Sequence, residues 1–285
     1  MGKLNPHSKD NLWPVTEINS IGQAFDVFSE LQGKKWICRG QPREYKKILA
    51  PIDRFPFSSL SRKQKLFQEQ QGMQLFRSSI EYFNEGEKEC LQFDIPTLML
   101  MQHHQIPTRL VDWTSSVYVA AFFSCNRFNS TKDLENSEIW CFDYDQYYTK
   151  AEEEWCSFEE THKKHKGSPE FDEKMPVIFT SEGPKNYWFI LQFLYGSLTR
   201  LSDQKGLFSL VSWFGFDHAL ALQDLLEDRR YFSRFVVAKE IKNELLAKLA
   251  KDFGIWQGAL FSDSSGVAEA INYSVYSRKT ERLDT

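Results

Sequence analysis

The sequence predicts an α+β fold: a single domain with a central, mainly antiparallel or mixed sheet flanked by helices. Three observations predict it. Short apolar runs bounded by polar residues recur at 34–39, 137–143, 207–213 and 232–239, the length of strands. Longer stretches place apolar residues three and four apart, as at 21, 24, 25, 28 and 31 and at 241, 245, 246, 249 and 253, the period of an amphipathic helix. Hydrophobic residues make up 41% of the 285, with 24 Phe, 11 Tyr and 8 Trp, enough apolar material for one sizeable core.

The elements follow in order. Asn19 and Ser20 precede the first helical pattern, which Gly33 closes. A strand over 34–39 comes next, then a long helix over 60–83 and a shorter one over 97–104. Gln105-Ile106-Pro107 ends the latter, because proline disfavours helix at the residue before it. A strand over 108–111 leads to a helix over 115–126 capped by Thr114 or Ser115. Residues 151–174 are charged and carry Gly167-Ser168-Pro169; they read as a partly helical surface insertion. Strands are expected at 137–143, 175–180, 207–213 and 232–239, a helix over 241–253 terminated by Gly254, and a last short helix from 267. One domain over 1–277 and a flexible tail over 278–285 account for the chain.

Composition excludes several classes. A net charge of −4 argues against a surface given over to nucleic acid but leaves room for a local basic groove. No apolar run reaches the ~20 residues of a membrane span, and the first ten residues lack the apolar core of a signal peptide. The five scattered cysteines, with Cys38 and Cys125 inside apolar elements, read as reduced core residues of a cytoplasmic protein. Cys156, His162 and His165 lack a fourth ligand, so no metal is expected. The P-loop, G-x-S-x-G and H-E-x-x-H motifs are missing.

Chemistry-bearing residues concentrate in two places. The apolar run at 36–38 ends in Arg39-Gly40-Gln41. The stretch from Gln102 to Ser124 sets His103, His104, Arg109, Asp112, Trp113, Thr114 and Ser115 where a strand gives way to a buried helix. Helix N-termini bind anions, and folds carry their chemistry where core elements end.

These residues resemble the signatures of the FRG domain family. Trp36-Ile37-Cys38-Arg39-Gly40-Gln41 is similar to its aromatic-x-x-Arg-Gly motif, and Arg54 to the arginine that closes the following segment. Gln102, His103, Pro107 to Arg109, and Asp112 to Thr114 stand in register with its Q-H-x-G-x-P-T-R-L-x-D-W-T motif, with Gln105 where a glycine is usual. Arg200, Gln204, Gly206 and Phe208 match a third signature, and Gly254-Ile255 with Leu260-Phe261-Ser262-Asp263 a fourth, with Ser262 for a frequent proline.

What the resemblance implies is a bacterial, phage or mobile-element setting: a toxin or anti-phage defence effector with a protein or nucleic-acid target and a cognate antitoxin or regulatory partner. The order of parts also resembles the core of ADP-ribosyltransferases, which implies NAD as substrate. On that reading Arg39 clamps phosphate or ribose oxygens and Gly40 admits the ligand close to the backbone. Gln41 follows them, Trp113 stacks on nicotinamide, and Thr114 and Ser115 offer hydroxyls and helix-end amides. Asp112 assists glycosidic cleavage, and Gln204 stands where a glutamate is expected. Two alternatives stay open. One is a non-catalytic module in which Arg39, Arg54, Arg109 and Arg200 hold a nucleotide or RNA end. The other is a phosphodiester-cleaving toxin with His103 as base. Beside these stand plain readings: Asp112 and Arg109 as a structural pair, Trp113 as core, His103 as a helix-end residue, Arg200 and Gln204 as sheet-edge ties.

Overall fold

The computed structural model describes residues 12–126, 135–162, 188–192, 204–211 and 213–261. The expected strand at 175–180, the helix from 267 and the tail lie outside these residues, as do Arg200, Ser262 and Asp263. A seven-stranded sheet forms the centre of the α+β fold, in the order β1-β7-β4-β2-β3-β6-β5. The strands are β1 (Val15–Ile18), β2 (Trp36–Gln41), β3 (Leu110–Thr114), β4 (Ser137–Asp143), β5 (Trp188–Gln192), β6 (Gly206–Val211) and β7 (Phe232–Val237). β1 runs parallel to β7; every other pair is antiparallel.

The helices are α1 (Ile21–Gln32), α2 (Arg62–Ser78), α3 (Glu85–Cys90), α4 (Asp94–His103), α5 (Val117–Cys125), α6 (Tyr144–His162), α7 (His218–Leu226), α8 (Lys242–Phe253) and α9 (Gln257–Leu260). On one face α1, α5 and α8 bury Phe28, Ala120, Ala121, Leu245 and Leu249 against Cys38, Ile139, Cys141 and Val237. Further along that face, Met73 of α2 and Leu98 of α4 pack on Leu110, Phe208 and Leu210. On the opposite face Ala219, Ala221, Leu222 and Tyr147 of α7 and α6 meet Ile37, Val111, Trp113, Trp140 and Phe232. Among the described residues no helix is long and apolar enough to cross a membrane.

Several boundaries differ from the sequence reading for local reasons. The helix expected over 60–83 stops at Ser78: the Ser78 and Ser79 hydroxyls both donate to the Leu75 carbonyl, and a 3-10 turn over Ile80–Tyr82 follows. The helix expected from 97 starts at Asp94, since Pro96 falls in the first turn, where its missing N–H is no loss. The strand placed at 108–111 runs on to Thr114, because β6 pairs with it along its whole length, from Leu110↔Leu210 to Thr114↔Gly206. Ser116, rather than Thr114 or Ser115, caps α5 by accepting from the Val119 amide. The short strands β1 and β5 and the helices α3, α7 and α9 are not among the elements the sequence predicts.

The pairing between β2 and β3 shapes the site. It consists of one register pair, Cys38↔Thr114, whereas β2 pairs β4 over all six of its residues and β3 pairs β6 over all five. Beyond that bridge β2 and β3 part, and the sheet has a seam.

Candidate functional site

Polar groups from both faces of the sheet meet at the seam, Arg39 from one and Asp112 from the other. Ile37 lies on the α6–α7 face, so Arg39 and Gln41 share it. Arg39 reaches across the gap and donates from Nη1 to the backbone oxygen of Asp112, 2.5 Å away. The Asp112 carboxylate lies 3.8 Å from the same nitrogen; its side chain is 57% exposed against 12% for Arg39. The Arg39 Nε is buried and makes no hydrogen bond among the described residues. Burial, then the positive charge of Arg54, push the Arg39 guanidinium down to about 10, while Asp112 and Glu138 hold it up.

Arg54 closes a 3-10 turn, Pro51–Asp53, in the connection between β2 and α2. Its Nε and Nη2 donate to the Leu49 oxygen at 3.0 and 2.7 Å. Desolvation lowers its pKa, opposed by Asp112, Tyr45 and Asp53. Asp112 therefore stands in the field of both guanidinium groups. Gln102, at the end of α4, donates to the Asp112 carboxylate at 3.0 Å and accepts from the Thr108 hydroxyl at 2.8 Å, which fixes the orientation of the carboxylate. His103, half-buried, follows Gln102 and meets His104 edge-on.

Other residues expected to touch ligand serve the fold. The close approach at Gly40 is to helix α5, not to a ligand: a Cβ there would come within 1.9 Å of the Ala120 oxygen. Gln41 is buried and donates to Glu138 at 2.6 Å, in a cluster that Arg234 completes at 3.4 Å. Burial pushes the Glu138 carboxyl up, with Arg234 and Gln41 among the groups opposing it. Arg109 does not line the seam; it is sealed in an ion pair with Glu69, Nε to Oε2 2.6 Å, with Arg109 2% and Glu69 1% exposed. Its carboxylate partner is therefore Glu69, not Asp112. Trp113 is no stacking platform: its ring lies in the core, edge-on to Phe142 at 5.1 Å, because strand alternation turns it inward. Thr114 is buried and ties two elements, donating to the Gln204 backbone oxygen and accepting from the Ser116 amide. Ser115 is exposed beside it. The Gln204 side chain donates to the Leu260 oxygen, so its amide joins β6 to α9. Among the described residues no cluster of His, Cys, Asp or Glu is placed to hold a metal ion.

The segment from just before β2 to just past α5 thus supplies both sides of the seam, and residues 34–133 match the FRG domain family. The chain carries an FRG domain. No curated protein and no solved structure is matched. Arg39, Arg54, Gln102 and Asp112 all lie inside the FRG segment. Glu138, Ser209, His218 and Arg234, which complete the surroundings, lie beyond it on β4, β6, α7 and β7. These four carry little signal in the sequence, because each lies in or beside an apolar run, far along the chain from the motif residues it meets. An acidic or basic residue within a strand pattern, such as Glu138 or Arg234, was the available signal that a buried partner waits.

Proposed function

We propose that the seam between β2 and β3 binds a phosphate-bearing nucleotide, with NAD the first candidate. The observation that carries this is Arg39: a mostly buried guanidinium with an unused Nε, set beside a second arginine, at a place where the sheet opens. Clustering two cations in a partly desolvated setting is unfavourable by itself, and an anion between them relieves it. A site with one exposed carboxylate, Asp112, among these cations suits a ligand that is anionic in one part and positively charged in another. NAD has both features.

A second reading, NAD consumption, draws on Asp112. Its carboxylate is aimed by Gln102, stays exposed and lies 3.8 Å from the Arg39 guanidinium. A fixed carboxylate of this kind can stabilise the oxocarbenium-like state formed when the nicotinamide–ribose bond breaks. A toxin or defence effector with a macromolecular target and a restraining partner is the setting in which such cleavage would act.

The experiment is calorimetric titration of the full chain with NAD, ADP and inorganic phosphate, with a nicotinamide-release assay alongside. Loss of a charge-assisted contact of about 1.5–3 kcal/mol makes Arg39→Gln bind ADP roughly 10–100-fold more weakly. Asp112→Asn keeps ADP binding and abolishes nicotinamide release if the chain consumes NAD. Absence of binding for all three ligands at millimolar concentration rejects the nucleotide reading.

A further inference from the structure

Helix α7 brings a histidine to the same face of the sheet as Arg39. His218 is the first residue of α7 and is 1% exposed. It ends a buried hydrogen-bonded relay that begins in the FRG motif. The Trp113 indole can only donate, and its Nε1–H goes to Ser209 Oγ at 2.8 Å. Ser209 Oγ is in turn 2.8 Å from His218 Nδ1. Ser209 already accepts from Trp113, and its hydroxyl hydrogen has no other acceptor among the described residues. The hydroxyl therefore donates to Nδ1. A neutral imidazole that accepts at Nδ1 carries its hydrogen on Nε2. That Nε2–H makes no hydrogen bond to another of the described residues.

The relay is tied to the arginines. The Ile48 amide donates to Asp217 Oδ1 at 2.9 Å, and the His218 amide donates to the Ile48 oxygen at 2.8 Å. Arg54 grips the carbonyl of the next residue, Leu49. His218 and Arg54 are thereby fixed to one short stretch of backbone, and the charges of both Arg39 and Arg54 act on the imidazole. Burial first, then those two charges, hold the ring neutral, with its pKa lowered to about 3.

We propose that His218 contacts the ligand of this site, offering its neutral Nε2–H to an oxygen of the phosphate-bearing molecule held by Arg39 and Arg54. The motif tryptophan then acts through Ser209: it fixes which imidazole nitrogen carries the hydrogen. This rests on the nucleotide reading above and adds to it a neutral donor whose state is set by the core. Because the ring stays uncharged, its contact is constant across neutral pH.

Two replacements separate the roles. Asn at 218 reaches Ser209 but not the Nε2 position; Gln reaches the Nε2 position. The full chain is titrated calorimetrically with ADP and with inorganic phosphate, for wild type, Arg39→Gln, His218→Asn and His218→Gln, with thermal melts as a folding check. Nitrogen-15 spectra of the histidine ring report the tautomer. The expected result is about tenfold weaker ADP binding for His218→Asn, a loss of threefold or less for His218→Gln, and an Nε2 resonance that moves on adding ADP. If wild type binds ADP and Arg39→Gln abolishes it, while His218→Asn binds like wild type and the Nε2 signal stays put, the role of His218 is refuted and the arginine site stands. If wild type binds neither probe, both readings fall together.

Discussion

Gly40→Ala should damage the protein through helix α5 rather than through any ligand. Gly40 pairs with Ile139 in mid-sheet, and α5 crosses directly over it. A Cβ at this position would lie 1.9 Å from the Ala120 oxygen and 2.6 Å from the Ser124 nitrogen. Ordinary contact starts at 3.4 Å, so the helix must retreat by about 1.5 Å. Both obstructing atoms are backbone, and no rotamer change can relieve them. Eight of the nine residues of α5 are buried, so the retreat loosens a whole layer of packing. A gap of 0.5–1 Å already forfeits roughly a quarter to a half of each contact's dispersion energy. Overpacking usually costs about 1–3 kcal/mol, and with a rigid obstacle the upper end or more is expected, at least about 3 kcal/mol. For a chain of this size that lowers the melting midpoint by roughly 6–12 °C. Urea denaturation followed by circular dichroism measures the loss. Gly22→Ala is the control: nothing lies within 4 Å of its Cβ, it sits in α1, and it should be neutral or stabilising by up to about 1 kcal/mol. A Gly40→Ala protein within about 0.5 kcal/mol of wild type would refute the close-approach argument.

Two further outcomes are expected. Glu69→Ala strands the Arg109 guanidinium in the core and should cost about 3–5 kcal/mol in urea denaturation, while the double change to Met at 69 and 109 recovers most of it; a loss under about 1 kcal/mol would contradict the buried pairing. Acid titration should separate two neighbours. His218 has a folded pKa of about 3, below its unfolded value, so its contribution is present above about pH 6.5 and is lost as pH falls, by about 2 kcal/mol from neutrality to pH 5. Burial raises Asp217 to about 6, above its unfolded value, so its contribution is full at low pH and is lost as pH rises toward 6. The two slopes oppose each other between roughly pH 4 and 6, so Asp217→Asn should lose stability on acidification by about 1.4 kcal/mol per pH unit more than wild type. Parallel stability–pH curves for the two proteins would contradict the opposition.

The sequence marked out two segments that meet in the fold but not the direction of every side chain. Arg39 and Asp112 were legible because strand ends with polar residues announce themselves against apolar runs, and β2 and β3 do meet. Trp113, Gly40, Gln41 and Arg109 carried equally conspicuous signals, yet they turn inward. Whether a residue at a strand end faces core or cleft depends on register, and register follows from partners far along the chain: β6 for Trp113, helix α5 for Gly40. Arg109 looked available because Glu69, its partner, lies 40 residues away on α2. His218 drew no attention because it stands alone in His-Ala-Leu-Ala-Leu, where Asp217 as N-cap was the one cue that a helix begins. The strand at 137–143 was read to its boundaries because its apolar run is bracketed by polar residues at both ends.

The order of strands has a practical consequence for anyone who would cut this protein down. The family-matching stretch, 34–133, contains just two of the seven strands, β2 and β3, and they touch through one residue pair. Their long partners, β4 and β6, come later in the chain. A fragment trimmed to the recognised borders would present two bare ladders of amide and carbonyl groups, the kind of edge that recruits other chains. The smallest autonomous unit has to extend through β7, so expression limits should follow the ladder rather than the motif.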